Sequence, residues 1–287
     1  MILIDGREIG FTKFPNGETK VIEDTILGYV AIPQNVHFKY EGDESLIRLM
    51  LVKRYLDSLG YPSPVLTIYY MPYSRMDRSE NESAFTLKYV ADFINSLNFK
   101  KIVVIEPHSD VTCAVLNNAK PRYLSLELLN NVQVLMGFDS ARDFLFFPDA
   151  GAQKRYHSVK GYKQLVGYKN RDFTTGMIKS LDVVGDLTSL TVGSKALIVD
   201  DLSSYGTTFI TAGEKLRELG FKEIYLFVPH AEDSIFKPHP VTGKILPEHM
   251  DKIFTTDSIL STSAIDNWGN AKYKGKVTVF KLKDFII

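Results

Sequence analysis

One stretch of the chain predicts both a fold and a site: Ala196-Leu-Ile-Val-Asp200-Asp201-Leu-Ser203-Ser204-Tyr205-Gly206-Thr207-Thr208. Its first four residues are apolar and predict a buried strand, and the apolar spacing over Gly206–Leu219 predicts a helix. Asp200 and Asp201 then lie at the carboxyl end of a strand, where open α/β sheets bind their ligands. Backbone N–H groups at the start of a helix favour phosphate, and adjacent carboxylates suit ribose hydroxyls or magnesium. An acidic turn followed by a helix cap would give the same pattern.

Similar strand-like runs alternate with helical patterns on both sides of this stretch. Short apolar runs without polar interruption are typical of parallel sheets that are covered on both faces. Apolar side chains recur at helical spacing over Asp43–Leu59 and Ala84–Leu97. The alternation predicts right-handed βαβ units and an α/β fold. The predicted strands are Val65–Met71, Ile102–Ile105, Phe144–Phe147, Ala196–Val199 and Ile224–Val228.

Composition and charge exclude several classes of protein. The 287 residues are 45% apolar and 24% charged, which is ordinary for a soluble globular protein of one or two domains. The 34 basic residues balance 34 acidic ones, and a zero net charge is against nucleic-acid binding. No apolar run approaches the ~18 residues that a membrane span requires. The single cysteine, Cys113, excludes a disulfide framework, so we expect a cytoplasmic protein with neither nucleic-acid nor membrane partners.

The loop near Gly137–Arg142 separates two groups of strand–helix units. We therefore expect one domain over residues 1–138 and a second over residues 139–287, each a mainly parallel sheet flanked by helices. Two further stretches, Asn170–Gly185 and Lys237–Glu248, are rich in Thr, Gly, Pro or charge, and are predicted to be exposed loops.

Five other segments carry side chains suited to nucleotides and metals. Each has an ordinary structural explanation when it is taken alone: an aromatic core residue, a solvated ion-pair patch, a loop histidine or surface cations. The segments are Lys13-Phe14-Pro-Asn16-Gly-Glu18, Met71-Pro72-Tyr73-Ser-Arg75-Met-Asp77-Arg78, Ile105-Glu106-Pro-His108, Phe147-Pro-Asp149-Ala-Gly151-Ala-Gln-Lys154-Arg155 and Tyr168-Lys169-Asn170-Arg171.

Together with Asp200–Thr208, these segments resemble the motifs of the ribose-phosphate diphosphokinases (PRPP synthetases), in that family's order and over nearly the whole chain. The Asp200 segment alone is also similar to the motif of class I phosphoribosyltransferases. The resemblance implies two phosphoribosyltransferase-type α/β domains, with ATP bound by the first and ribose phosphate by the second. It further implies a transferase that moves the β,γ-diphosphoryl group of ATP to the anomeric 1-hydroxyl of a ribose 5-phosphoryl acceptor and releases AMP. The cofactor would be Mg²⁺, with ATP as co-substrate.

The resemblance also assigns roles to individual residues. Lys169 and Arg171 would be catalytic, because phosphoryl transfer depends on charge neutralisation. His108 and Asp149 would hold the metal. A homo-oligomer, at least a dimer, is implied because the Phe14 segment of this family reaches a neighbouring subunit's ATP. ATP would be bound by Phe14, Asn16, Glu18, Arg75, Asp77, Arg78 and His108. Ribose phosphate would be bound by Asp149, Asp200, Asp201, Ser203, Ser204, Tyr205, Gly206, Thr207 and Thr208.

One departure from the family bears on the acceptor. The family's phosphate loop reads Asp-Thr-(Gly or Cys)-Gly-Thr, whereas this chain has Ser204-Tyr205-Gly206-Thr207-Thr208. A bulky tyrosine and the loss of a glycine predict a larger substituent at the 5-position of the sugar. ADP-ribose fits, with Tyr205 packed on the extension, and ribose 5-phosphate is the other candidate. The product would then serve the synthesis of nucleotides or of NAD.

Two other functions stay open from the sequence. A phosphoribosyltransferase would consume the diphosphate sugar and would not need the segments around Phe14 and Arg75. A non-catalytic regulator associated with a true synthetase would not need Lys169, Arg171, His108 and Asp149. Release of AMP from Mg-ATP distinguishes these alternatives from a diphosphokinase.

Overall fold

The computed structural model describes residues 1–28, 32–79, 82–171 and 178–286. They form two compact units: unit 1 is Met1–Leu124 with Leu282–Ile287, and unit 2 is Ser125–Lys281. The sequence placed the boundary after residue 138, whereas the structure divides the chain before Ser125. The difference arises because the helix over Ser125–Met136 packs against the sheet of unit 2. Within the described ranges, no helix combines the length and the apolar character needed to cross a bilayer.

Unit 1 is built on a six-stranded sheet. Its elements are β1 (Ile2–Ile4), β2 (Arg7–Glu8), β3 (Phe11–Lys13), β4 (Thr19–Val21), α1 (Asp24–Leu27), β5 (Asn35–Phe38), α2 (Glu44–Ser58), β6 (Val65–Ile68), α3 (Thr86–Ser96), β7 (Lys101–Ile105), α4 (Asp110–Val115) and β8 (Ala119–Arg122). The strand order is β2-β1-β5-β6-β7-β8, and β5 to β8 are parallel. β1 pairs antiparallel with β2 and β5, and β3 and β4 form a separate hairpin.

The core of unit 1 lies between this sheet and its helices. Leu87, Ala91 and Ile94 recur at helical spacing on α3 and are fully buried against the strands. Apolar residues of α2, β6 and β7 complete the same cluster. The periodic apolar face of the helix thus determines which side of α3 packs on the sheet.

Unit 2 is built on a seven-stranded sheet. Its elements are α5 (Ser125–Met136), β9 (Phe144–Phe147), α6 (Ala150–Arg155), β10 (Lys163–Arg171), β11 (Ile178–Gly185), β12 (Lys195–Val199), β13 (Leu202–Ser203), α7 (Thr207–Glu218), β14 (Glu223–Phe227), β15 (His230–Ala231), a 3₁₀ turn (Asp233–Phe236), α8 (Leu246–His249), β16 (Lys252–Thr256), α9 (Thr262–Ala264), a π-helical segment (Ile265–Lys272) and β17 (Val277–Phe280). The last helix, α10 (Lys283–Ile286), belongs to unit 1. The strand order is β11-β10-β9-β12-β14-β16-β17, parallel except for β11.

The predicted fold class is confirmed: each unit is a mainly parallel sheet flanked by helices. The prediction of a loop over Asn170–Gly185 is wrong for residues 170–171 and 178–185, which belong to the antiparallel strands β10 and β11. Residues 172–177 of that stretch lie outside the described residues. Leu181 and Val183 alternate along β11 with the exposed Asp182 and Val184, and the first two pack on the core of unit 2. This alternation with a period of two is typical of a strand. A prediction from composition misses it, because the stretch is rich in Thr, Gly and charged residues.

Candidate functional site

Three carboxylates lie at one edge of the sheet in unit 2, and we call them the acidic edge: Asp149, Asp200 and Asp201. β9 and β12 are parallel neighbours, so Asp149, which follows β9, and Asp200, which follows β12, leave the sheet on the same side. Burial removes water from the Asp200 carboxyl, and the charges of Asp201 and Asp149 add repulsion. Together they raise the pKa of Asp200 well above its ordinary value. A bound cation at this edge would relieve that repulsion.

Hydrogen bonds and an ion pair around α6 hold the acidic edge in place. The Asp149 carboxylate caps α6 by accepting a backbone N–H at 3.0 Å. The guanidinium of Arg155 lies 3.4 Å from Asp201 Oδ2, and both side chains are largely buried. The Tyr156 hydroxyl donates to the backbone carbonyl of Asp200 at 3.1 Å. Arg155 was recognised from the sequence only as the end of the Asp149 segment, and Tyr156 was not predicted to contribute to the site.

The residues that follow the acidic edge are positioned by strand pairing and by hydrogen bonds between side-chain hydroxyl groups. β13, which contains Ser203, pairs in parallel with β15. Ser234 donates its proton to Glu232 Oε2 at 3.1 Å, and Ser204 Oγ lies 3.2 Å from Ser234 Oγ. Because a hydroxyl has one proton, Ser204 must be the donor to Ser234. In this arrangement the Ser204 proton is directed at Ser234, so a phosphate at this loop would have to compete with Ser234 for it.

Tyr205 and Gly206 are both covered by the stretch that the sequence predicted to be an exposed loop, Lys237–Glu248. The rings of Tyr205 and His239 meet edge to face, with centroids 5.5 Å apart and planes at 85°. Gly206 has a left-handed φ of 77°, and a Cβ atom there would lie 2.6 Å from Leu246 Cδ2. Leu246 is fully buried in α8, so the prediction of an exposed loop is wrong for this part of the stretch.

The partly exposed Thr207 and Thr208 form the first turn of α7. The first turn of a helix presents backbone N–H groups that its own hydrogen-bond ladder does not use, and the helix dipole places positive charge there. Two carboxylates and a helix start, the kind of position that favours an anion, thus lie within eight residues, at the carboxyl end of β12. This arrangement suits a ligand that carries both hydroxyls and a phosphate.

Lys169 and Arg171 lie on β10, where their backbones pair with Leu181 and Ile178 of β11. Their side chains lie outside the described part of the structure, and so do residues 172–177. Their predicted catalytic role therefore stays a prediction.

The donor set of the acidic edge fits Mg²⁺. Magnesium prefers oxygen ligands and usually binds through one or two carboxylates together with water and substrate phosphates. Across the described residues, no three metal-ligating side chains lie close enough together to hold a metal ion by themselves. The other predicted ligand, His108, is a partly buried residue of unit 1 just after β7.

Unit 1 carries the remaining predicted residues in two places. Phe14, Asn16 and Glu18 lie in the turn of the β3–β4 hairpin, where Phe14 N–H donates to the Glu18 carbonyl at 2.9 Å. The Phe14 side chain is 52% exposed, so the explanation as a core residue is wrong. Lys13 forms an ion pair with Glu44 at 2.6 Å, which ties this hairpin to the start of α2.

The segment with Arg75, Asp77 and Arg78 follows β6, and His108 follows the parallel neighbour β7. These residues therefore leave the sheet of unit 1 at the same edge. Arg78 is 75% exposed and lies 3.6 Å from the Asp77 carboxylate. The Asp77 side chain is only 11% exposed, so the arginine is the exposed partner of this pair.

Tyr73, in the same segment, adopts a φ of 62° that non-glycine residues rarely take. Its hydroxyl donates to Asp43 Oδ1 at 2.5 Å, and the Tyr40 hydroxyl donates to the same atom at 2.7 Å. The two bonds lower the pKa of Asp43, with the larger effect from Tyr73. Asp43 thus anchors the segment that carries Arg75.

Known proteins of similar sequence match most of the chain. The ribose-phosphate pyrophosphokinase of Pyrococcus abyssi is 28% identical over 259 residues, 86% of this chain and 87% of its own length. That of Pyrococcus furiosus is 29% identical over 260 residues, 87% of this chain and 90% of its own. The crystal structure of phosphoribosylpyrophosphate synthetase from Mycobacterium smegmatis has a TM-score of 0.73, covers 98% of this chain and 88% of its own at 17% identity, and supports the fold. No protein-family model matches.

Proposed function

This chain is a divergent member of the ribose-phosphate diphosphokinase family, a family of transferases, and we propose that it transfers the β,γ-diphosphoryl group of ATP to the anomeric 1-hydroxyl of ADP-ribose. The observation that carries the proposal is the acidic edge beside the start of α7. Carboxylates for sugar hydroxyls and a helix start for phosphate lie together there, and the phosphate loop between them is altered.

In the proposed reaction, the acceptor's anomeric oxygen attacks the β-phosphorus of ATP. The bond from that phosphorus to the oxygen bridging to the α-phosphorus breaks, AMP leaves, and the hydroxyl proton is released. Asp200 and Asp201 accept hydrogen bonds from the ribose hydroxyls, while Arg155 keeps Asp201 in position. Thr207 and Thr208 bind the 5-phosphate at the start of α7.

Lys169 and Arg171 are proposed to stabilise the negative charge on the transferring group, where a positioned cation lowers the barrier most. Asp149 of unit 2 and His108 of unit 1 are each proposed to bind Mg²⁺, which would neutralise charge on phosphate oxygens. We place the reaction in the cytoplasm, because ATP is its co-substrate.

Two features of the loop favour ADP-ribose over ribose 5-phosphate. A terminal phosphate carries about −1.5 to −2 charge and needs several donors, and here it would have to compete with Ser234 for the proton of Ser204. The 5-phosphate of ADP-ribose lies within a diphosphate bridge, so it carries less charge and offers fewer terminal oxygens. Tyr205 adds an aromatic surface on which the rest of the molecule packs.

On the ATP side, Phe14 offers an exposed face for adenine, and Asn16 and Glu18 offer polar contacts to its edge. Arg75 and Arg78 provide forked donors for phosphates, with Asp77 between them. If the hairpin with Phe14 serves a neighbouring subunit, the minimal active unit is a homodimer.

Replacing Tyr73 by phenylalanine is expected to raise the KM for ATP about three- to tenfold, the effect of losing one hydrogen bond to a carboxylate. The left-handed backbone of Tyr73 persists only while its surroundings hold it, and the bond to Asp43 is one such contact. Tyr40→Phe is the matched control, because it removes a bond to the same oxygen from outside the Arg75 segment. Equal effects of the two variants in steady-state kinetics would contradict a special role for Tyr73.

The test of the proposed function is AMP formation from Mg-ATP with ADP-ribose, with ribose 5-phosphate and with no acceptor. We expect kcat/KM to be at least about tenfold higher with ADP-ribose, within the range that contacts to one substituent provide. Preference for ribose 5-phosphate would overturn the ADP-ribose assignment and leave an ordinary PRPP synthetase. No AMP in any arm, with purified protein that is folded, would favour the non-catalytic regulator. Consumption of the diphosphate sugar with a nitrogenous base would instead indicate a phosphoribosyltransferase.

A further inference from the structure

We propose that His239 is a positioning residue for the acceptor: it fixes the ring of Tyr205 beside the loop that precedes α7. The inference rests on the proposed function, because the ring affects selectivity only when the acceptor extends beyond its 5-phosphate. His239 has no role that the sequence predicts.

The contact joins two segments that are distant in the chain. The imidazole of His239 and the phenol of Tyr205 meet at 85° with centroids 5.5 Å apart, a favoured arrangement for aromatic pairs. Both residues are partly buried. The contact therefore restricts Tyr205 while part of its surface stays open to a ligand.

The ring of His239 is itself held by a closed turn. Its Nδ1 accepts the backbone N–H groups of Val241 and Thr242, each at 3.2 Å. Its backbone N–H donates to the Lys244 carbonyl at 2.9 Å, and its carbonyl accepts from Gly243 at 2.8 Å. Since Nδ1 accepts, the imidazole carries its proton on Nε2, and rotation of the ring would break both bonds to Nδ1.

The same turn is fastened to the helix that starts at the phosphate loop. Lys244 forms an ion pair with Glu214 of α7. Two residues further on, Leu246 packs against Gly206. The contacts of the turn with α7, Gly206 and Tyr205 therefore restrict the position of the Tyr205 ring. Because the Tyr205 ring is ordered before binding, it loses less conformational entropy when the acceptor binds.

Two substitutions of His239 distinguish the contribution of its ring from that of its hydrogen bonds within the turn. Asparagine removes the ring, but its side-chain oxygen can accept the N–H groups two and three residues on, as in an Asx-turn. Phenylalanine retains a ring but removes the acceptor. We expect His239→Asn to raise the KM for ADP-ribose about fivefold, the size of one aromatic pair. The KM for ATP and the kcat should change little.

The controls exclude a general structural effect. His239→Phe should restore much of the affinity for ADP-ribose if the ring is what matters. Val241→Ala, a change at an exposed position of the same turn, should leave all constants unchanged. Adding His239→Asn to Tyr205→Ala should give no further increase in KM, because the partner ring is already gone.

The outcomes distinguish this inference from the proposed function. Wild-type protein that prefers ribose 5-phosphate overturns the ADP-ribose assignment and this inference with it. Wild-type protein that prefers ADP-ribose, together with a His239→Asn variant of unchanged KM, overturns the inference alone. A His239→Asn variant that loses kcat with every acceptor and unfolds at a lower temperature would assign His239 to folding, which also overturns it.

Discussion

A variant with asparagine in place of Asp200 is expected to be more stable than the wild type without ligands, and much less active. The pKa of Asp200 is raised by its buried surroundings and by the charges of Asp201 and Asp149. Asparagine has almost the same shape and no charge. At neutral pH it therefore removes a repulsion that the folded state bears and the unfolded chain does not. We expect the free energy of unfolding to rise by about 1–3 kcal/mol.

The pH dependence follows from the sign of the shift. A raised pKa means that the folded protein binds the proton of Asp200 more tightly than the unfolded chain does. The resulting stability is present below the ordinary aspartate pKa, and it is lost as the pH rises through the raised value. The stability gap between Asp200→Asn and the wild type should be small near pH 4 and should widen toward neutral pH. Thermal unfolding at several pH values measures it.

Activity should change in the opposite direction. Without a charged acceptor for the ribose hydroxyls, we expect kcat/KM for the acceptor to fall about 10–100-fold. Asp186→Asn is the matched control, because the Asp186 carboxylate accepts hydrogen bonds from Thr188, which lower its pKa. That variant should gain no stability and keep its activity. Lower stability of Asp200→Asn at pH 7 than of the wild type would show that the carboxylate stabilises the ligand-free fold.

The acidic edge was predictable from the sequence, since each of its parts is local. An apolar run that leads directly into Asp200 specifies a strand with a carboxylate at its carboxyl end, and parallel neighbours place Asp149 at the same edge. The raised pKa of Asp200 was not predictable, because it depends on how far the fold removes water from that carboxyl.

Contacts between segments that are distant in the chain could not be predicted from the sequence. Nothing in the pattern around His239 indicates that its ring meets Tyr205, more than thirty residues earlier. In unit 1, β5 was missed for a different reason: its four residues include Asn35 and a buried His37, so neither an apolar run nor a period of two is evident. Its position in the sheet is set by pairing with β1 and β6.

Alanine at Gly206 is expected to lower the free energy of unfolding of unit 2 by about 2–4 kcal/mol, the sum of backbone strain and overpacking. The φ of 77° suits glycine, and any Cβ atom there meets three side-chain carbons of Leu246 at 2.6–2.9 Å. Leu246 cannot swing away, because it is fully buried in the core of unit 2. Chemical denaturation measures the change, and the KM for the acceptor should rise because Tyr205 is the preceding residue.

Gly220→Ala distinguishes backbone strain from overpacking at the other end of the same helix. Gly220 lies just beyond the other end of α7 with a φ of 103°, and a Cβ atom there would meet nothing within 4 Å. This variant should therefore show the cost of strain alone, about 1 kcal/mol. The excess cost of Gly206→Ala then measures the contact with Leu246. If the two variants were equally destabilised, α8 would have to yield at no cost, and Leu246 would not be what holds the phosphate loop in its position.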